Sequence, residues 1–265
     1  MTPEALLAHY DKAALWPADR PARGPADVAA AYQDALALRA LRLARGERPV
    51  GYKIGFTNRT IWQRYGVFGP IWGPVWNTTL TRCEDHGTVD LIGTLQPRIE
   101  PEIVFGIAAT PPRDATMEQV FDCIEWLAPG FEIVQSHCAD WKFTAAETVA
   151  DGALHARLLV GRQTPVRQFA NTGAELDDKL AATHLTLFKG DAAIDQGTGV
   201  NVLDGPLHAL RHFVQELQTC PGAPALQPGD VVTTGTWTDA WPIAPGETWR
   251  AEFEAPFDSL TITLR

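Results

Sequence analysis

The spacing of apolar residues changes character near residue 50. Residues 2–16, "TPEALLAHYDKAALW", open with a capping threonine, a proline at the first helical position and an acid in the first turn, which together mark a helix start. After a Pro/Gly/Arg-rich loop, "ADVAAAYQDALALRALRLARG" (26–46) repeats apolar residues at helical spacing, carries arginines in its last turns and meets Gly46 as a stop. Two helices are therefore expected first. From Val50 the period shortens: "VGYKIGF" alternates as a strand does, and "GVFGPIWGPVWNTT" (66–79) is too rich in Gly, Pro and Trp for either regular element, which predicts a structured loop beside a pocket. Strand-like runs follow: "PEIVFGI", "GFEIVQS", "ARLLVG", "THLTLFKG", "DAAIDQG", "DVVTTGTW", "TWRAEF" and "SLTITLR". Helices are expected near 116–127, 144–150 and 205–219, and "LTLFKGDAAI" reads as a hairpin turning at Lys189, Gly190 and Asp191.

Strands with scattered helices, rather than strict alternation, predict an α+β architecture on a mixed or antiparallel sheet. The polar turn "TRCEDHGTVD" suggests a division into a helical and loop portion, 1–85, and a β-rich catalytic portion, 86–265. With 45% hydrophobic and 20% charged residues and nine tryptophans, the chain can bury a sizeable core. Its net charge of -10, with no basic stripe, argues against a nucleic-acid partner. No run of about 18 uncharged apolar residues and no leader-like N-terminus is present, so a soluble cytoplasmic protein without a membrane partner is expected. Four cysteines without a C-x-x-C pair read as reduced thiols, not as a zinc site or disulfide framework.

The chemistry concentrates in "QPRIEPEIVFGI" (96–107), where Glu100 and Glu102 share one strand face across Pro101. Side chains two apart on a strand are separated by about 6.6 to 6.8 Å, and two ionised carboxylates there repel by roughly 2 to 3 kcal/mol at an effective dielectric near 20. Burial would demand a shared proton, a basic partner or a metal ion; on its own the pair also suits a solvent-facing strand. Pro101 suggests a sheet edge or bulge. A third acid, Glu132, lies in the apolar run "GFEIVQS", with Asp140 and Lys142 just beyond. Three carboxylates from two strands could ligate a hard divalent cation and leave positions for water or substrate. Lys53, in the glycine-flanked "GYKIG", is either an ion-paired structural lysine or a proton-transfer group whose pKa a nearby cation depresses. His208 and His212 share a helix face but make a weak metal site. There is no G-x-S-x-G elbow and no complete phosphate loop.

In order and spacing, "GYKIGFT", "PRIEPEIVF", "FEIVQSHCADWK", "TVADGALHARLLVG", "GVNVLDGPLHALRHFVQEL" and "LQPGDVVTTGTWTDAWPIAPGETWRAEF" resemble the 2-keto-4-pentenoate hydratase and 4-oxalocrotonate decarboxylase group of the fumarylacetoacetate hydrolase superfamily. The resemblance implies a β-rich mixed-sheet roll with an N-terminal helical portion, and Mg2+ or Mn2+ held by Glu100, Glu102 and Glu132. It implies a short keto acid substrate chelated as an enolate, with Lys53 transferring the proton. Asp140 and Lys142 match the family's "ADWK" segment as supporting residues. Two departures stand out. Asn77 occupies a position where hydratases of the group commonly carry an acid, and "ADGALHARL" replaces a stretch of small hydroxyl and amide residues with Gly152, Leu154 and His155, which predicts an altered pocket. Trp62, Tyr65, Phe68, Trp72 and Trp76 either line that pocket or pack within a long loop.

Hydration of a 2-hydroxypenta-2,4-dienoate-like acid is the leading expectation. Decarboxylation of an oxalocrotonate-like diacid is the alternative, since it needs no activated water. A hydrolase of acylpyruvate type is weakened by the want of an obvious Glu/His pair, and a non-catalytic complex subunit by the presence of all three acids with Lys53. A homo-oligomer, and a complex with a neighbouring pathway enzyme, complete the expectations.

Overall fold

In the computed structural model, which describes residues 1–59, 62–65 and 69–265, the change of period near residue 50 is a change from helices to sheet. Helix α1 (Pro3–Asp11) begins at Thr2, whose hydroxyl accepts from Ala5 N at 3.3 Å. Helix α2 (Val28–Ala44) ends just before Gly46, which takes up the left-handed φ of 93° that closes the helix. The strands and remaining helices follow as β1 (Pro49–Gly55), α3 (Trp62–Tyr65), β2 (Ile71–Trp76), β3 (Leu80–Arg82), β4 (His86–Val89), β5 (Arg98–Ile107), α4 (Met117–Asp122), β6 (Ile124–Val134), α5 (Ala145–Ala150), β7 (His155–Val160), β8 (Thr164–Pro165), α6 (Gly173–Ala182), β9 (His184–Lys189), β10 (Ala192–Thr198), α7 (Pro206–Thr219), β11 (Val231–Thr233), β12 (Trp241–Pro242), β13 (Thr248–Phe253) and β14 (Leu260–Leu264).

Among the described residues the larger sheet runs β2-β1-β11-β5-β6-β7-β3, with β12 joined to β5 and β8 to β6, and the smaller runs β10-β9-β13-β14-β4. Parallel pairs (β1 with β11, β3 with β7) sit among antiparallel ones, so the expected α+β mixed-sheet fold is what forms. The sheet crosses the division drawn at residue 85: β1, β2 and β3 precede it yet hydrogen-bond into the sheet of β5 to β7. Helices α1 and α2 lie outside both sheets; α2 packs on α5 and α1 on α2, around Leu6, Trp16, Ala31, Ala146, Val149 and Ala150. No described helix is long and apolar enough to cross a membrane.

Strand β5 is buried on both faces, which is why its sequence does not alternate cleanly. Ile99, Ile103, Phe105 and Ile107 face the main core, shared with Leu185, Leu187, Trp249 and Ile262 of the smaller sheet. The opposite face carries Glu100, Glu102 and Val104, and Val104 joins a smaller apolar cluster with Val75, Ala128, Leu158, Val160 and Val231.

Three local expectations change. Ile71–Trp76 is a strand, not an irregular loop: Pro74 is accommodated opposite Tyr52, and Gly73 sits where a Cβ would come within 2.5 Å of Gly152 O. The helix expected over 116–127 stops at Asp122, because β6 begins at Ile124 and its pairing with β5 overrides helical spacing. Helix α6 has no expected counterpart, although Thr172, accepting from Glu175 N at 3.2 Å, is a helix-start signal.

Candidate metal centre

Register brings the acids together. Glu100 pairs directly with Glu132 across β5 and β6, and Glu102 pairs with Gly130, so the three carboxylates point from one sheet face. They offer one oxygen each within 4.8 Å of one another. A side chain at Gly130 would meet Val104 Cγ2 at 2.5 Å, so glycine there leaves the space beside Glu102 open. Pro101 marks an interruption rather than a free edge: on one side of β5, β12 pairs with Arg98 and Ile99 and β11 with Val104 to Gly106. The gap between them is filled by the loop after β11, where Trp237 N donates to Pro101 O at 3.1 Å and Thr234 Oγ1 to Ile103 O at 2.9 Å. From that loop Gly235, at φ 106°, donates its N–H to Glu102 Oε2 at 2.6 Å. A Cβ on Gly235 would overlap Thr57 Oγ1 at 2.0 Å, so only glycine can present that donor.

The two fully buried glutamates are therefore held alike. Glu102 has one oxygen anchored by Gly235 N and the other, Oε1, without a hydrogen-bond partner among the described residues. Glu132 has Oε1 anchored by His155 Nδ1 at 2.8 Å; its Oε2 lies 3.1 Å from Lys53 Nζ, close enough for an ion pair but without hydrogen-bond alignment. When all three ionise, the carboxylates outnumber the nearby cations among the described residues, Lys53 and Arg98. Oxygen donors, bare lone pairs and an excess of negative charge fit a hard divalent cation.

The electrostatics agree. Burial, then Glu132 and Glu100, push the Glu102 carboxyl well above its ordinary range. Burial raises Glu100 to about 7, with Glu132 adding to the rise and Lys53 and Arg98 opposing it. For Lys53, 2% exposed, burial alone would lower the pKa, but Glu132, Glu100 and Glu102 outweigh it and the net direction is up. A depressed lysine, one of the two readings the sequence allows, needs a cation beside it; the carboxylates alone raise it, as in the ion-paired reading. Burial also lowers His155, against the pull of Glu132.

Lys53 and Glu100 line a cavity of about 170 Å³. Its walls are Phe56, Trp141 and Phe143, with the hydroxyl-bearing Thr57, Thr236 and Thr238, and with Arg98, whose guanidinium lies 4.3 Å from the Trp141 ring centroid. That space is smaller than the roughly 300 Å³ at which drug-sized ligand pockets begin. It suits a short acid.

Other expected residues fall elsewhere. Asn77 is exposed at the end of β2, its Oδ1 accepting from Arg48 N at 2.7 Å, and it does not line the cavity. Asp140 and Lys142 form an exposed ion pair at 3.4 Å on the rim of a neighbouring wide groove. Trp72 stacks on Tyr32 at 4.6 Å in the core, and Trp76 lies under the Arg42 guanidinium. Trp62 donates to Phe56 O, while the Tyr65 side chain and Phe68 lie outside the described residues. Leu154 lines the cavity as expected for an altered pocket, but His155 turns beneath it to Glu132. The residues the sequence did not single out are Thr79, Gly235 and Arg98.

The fumarylacetoacetate hydrolase C-terminal family model matches residues 76–262. A 2-hydroxyhexa-2,4-dienoate hydratase of Comamonas testosteroni is 33% identical over 220 residues, covering 82% of this chain and 79% of its own. A 4-oxalocrotonate decarboxylase of Pseudomonas sp. is 30% identical over 214 residues, covering 80% and 78%. Among solved structures, 4-oxalocrotonate decarboxylase from Pseudomonas putida G7, complexed with magnesium and adipate, superposes with a TM-score of 0.82 at 25% identity, covering 100% of this chain and 99% of that one. The chain belongs to the fumarylacetoacetate hydrolase family.

Proposed function

We propose that the chain is a divalent-metal-dependent lyase acting on a short 2-oxo or 2-hydroxydienoate acid, with hydration of a 2-hydroxypenta-2,4-dienoate-like substrate as the leading reaction. One observation carries this reading: Glu100, Glu102 and Glu132 converge within 4.8 Å beside Lys53 at a small cavity. One oxygen from each glutamate would hold Mg2+ or Mn2+. When bound, such a cation supplies a Lewis acid that stabilises negative charge on the 2-oxygen of the substrate. Lys53 Nζ, buried and lining the cavity, exchanges the proton with the neighbouring substrate carbon. Phe56, Trp141 and Phe143 keep bulk water from the reacting end, and the threonine hydroxyls orient the remainder of the acid or the water to be added. Hydratase and decarboxylase relatives at 30 to 33% identity support the class of chemistry. The test is a spectrophotometric assay with 2-hydroxypenta-2,4-dienoate: the absence of any magnesium-dependent loss of dienol absorbance would remove the hydratase reading.

Decarboxylation of an oxalocrotonate-like diacid is favoured by a separate observation. Arg98 lines the cavity two residues before Glu100 on the same strand face, with Ala240 O at 3.5 Å from its Nη1, and so could meet a distal carboxylate. The solved decarboxylase was complexed with adipate, itself a dicarboxylate. Metal-dependent release of carbon dioxide from such a diacid, without hydration of the monoacid, would select this reaction. Glu132 and His155 do form a Glu/His pair, but His155 does not line the cavity, so the pair does not revive the acylpyruvate hydrolase. A cytoplasmic homo-oligomer, and docking to a pathway enzyme, belong to the same proposal on the resemblance alone; sedimentation of the purified chain tests the first.

A further inference from the structure

Glu132 is not free to turn. Its Oε1 lies 2.8 Å from His155 Nδ1, and His155 Nε2 lies 2.8 Å from Thr79 Oγ1. Thr79 stands in the turn between β2 and β3, where its Oγ1 is 3.1 Å from both Trp76 N and Trp76 O. All three side chains of this chain of contacts are nearly inaccessible: Glu132 is 0%, Thr79 4% and His155 5% exposed.

For a neutral imidazole the hydrogens have one consistent arrangement. A carboxylate oxygen can only accept, so Nδ1 carries the ring proton and donates to Glu132 Oε1. Nε2 is then an acceptor and needs a donor, which the Thr79 hydroxyl supplies. Trp76 N donates in turn to Thr79 Oγ1, and Trp76 O accepts from Thr79 N at 2.9 Å. The opposite tautomer would set a bare Nδ1 lone pair against the Glu132 carboxylate 2.8 Å away. The assignment follows from the network, not from observed hydrogens.

We infer that His155 is a positioning residue of the cation site: its Nδ1–H, held by the Thr79 hydroxyl on the other side of the ring, fixes Glu132 so that it presents Oε2 alone to a divalent cation. This rests on the reading of Glu100, Glu102 and Glu132 as the ligands. It adds what that reading does not contain, a residue beyond the ligands that sets how one of them binds. Gly235 N does for Glu102 what His155 does for Glu132, so each buried glutamate offers a single oxygen in a fixed direction. Outer partners of this kind typically govern metal affinity by about 10- to 100-fold.

The test uses the purified full chain and Mn2+, with free ion followed by electron paramagnetic resonance, beside nitrogen NMR of the histidine rings of the unsubstituted protein without added metal. His155→Ala is expected to bind Mn2+ about 10- to 100-fold more weakly. His155→Asn, whose amide nitrogen is attached to Cγ as Nδ1 is, should bind nearly as tightly as the unsubstituted chain. His155→Gln, which places its amide one atom further out, should resemble alanine. The ring of His155 should show the Nδ1–H tautomer. Equal affinity of the unsubstituted and alanine chains, or no difference between asparagine and alanine, would overturn the inference. So would an Nε2–H tautomer in the unsubstituted protein, a measurement that stands even where a variant does not fold. Failure of the unsubstituted chain to bind Mn2+ would instead strike the ligand assignment itself, and the inference with it.

Discussion

Glu100 and Glu132 stand directly opposite one another across the β5–β6 ladder, the arrangement in which like charges are least welcome in a sheet. Glu102, two residues along on the same face, adds a third carboxylate, and among the described residues Lys53, with Arg98 near Glu100, answers them. The cluster is thus destabilising on its own, and the protein's stability should report directly on the proposed divalent cation.

Glu102→Gln keeps the shape of the side chain and removes its acid. Without metal the variant should melt at a higher temperature than the unsubstituted protein at neutral pH, because the cost of burying that carboxyl, ionised or newly protonated, is gone. With magnesium the order should reverse. An ion at 100 times its Kd stabilises the protein that binds it by about 2.7 kcal/mol, and the variant should lose most of that gain along with turnover. Thermal melts of both proteins in EDTA and in magnesium read both effects. An undiminished magnesium shift in the variant would sink the ligand assignment.

The same carboxyls give a pH dependence whose sign is fixed by their direction. Glu100 is raised from 4.5 to about 7 in the fold, and Glu102 is raised well above 4.5. Between 4.5 and about 7 the folded chain binds more protons than the unfolded one, so stability falls as pH rises. In EDTA the contribution is fully present below about pH 4.5 and is lost as pH climbs through 7 and beyond. Magnesium competes with those protons, so its stabilising effect should grow with pH over the same window. A flat or rising stability in EDTA between pH 5 and 8, once other groups are controlled with Glu102→Gln, would contradict this.

How much of this site could be read from the chain follows from what kind of relationship each residue has. Glu100 and Glu102 are neighbours by strand periodicity, so their shared face was legible, and Glu132 was marked by an acid standing in an apolar run. That Glu132 faces Glu100 depends on the register of two strands and could not be read. Asn77 drew attention because of its type, whereas the residue of that turn that reaches the site is Thr79, through His155. A threonine in the turn between two strands carries no local signal of such a role. The long β6 was partly hidden because Met117–Asp122 carries helix-start signals close to it, and pairing with β5 decided where the helix stopped.

Arg98 should decide between monoacid and diacid substrates. Its guanidinium, over Trp141 at the cavity wall, has a backbone carbonyl at 3.5 Å, a distance that leaves it free to bind more strongly elsewhere. A hydrogen bond to a charged group contributes about 1.5 to 3 kcal/mol, so Arg98→Met should raise KM for an oxalocrotonate-like diacid by roughly 10- to 100-fold. KM for the dienoate monoacid should change little, since the methionine keeps an apolar stem against Trp141. Equal losses for the two substrates would place Arg98 in support of Glu100 instead of at the distal end of the acid.

Lys53 allows metal binding and chemistry to be separated. Lys53→Met removes the one positive charge facing Glu132 while filling the same buried space, so repulsion among the acids rises and stability in EDTA should fall. An ammonium also repels a cation, and its removal should tighten Mn2+ binding. Turnover should nevertheless drop by roughly 10²- to 10⁴-fold, the usual contribution of a positioned proton-transfer group. Tighter Mn2+ binding with lost turnover is the signature of a lysine that moves a proton beside the ion. Weaker binding would mean that Lys53 chiefly gathers the carboxylates, and retained turnover would transfer the proton step to another group lining the cavity, of which Asp239 is the first to substitute.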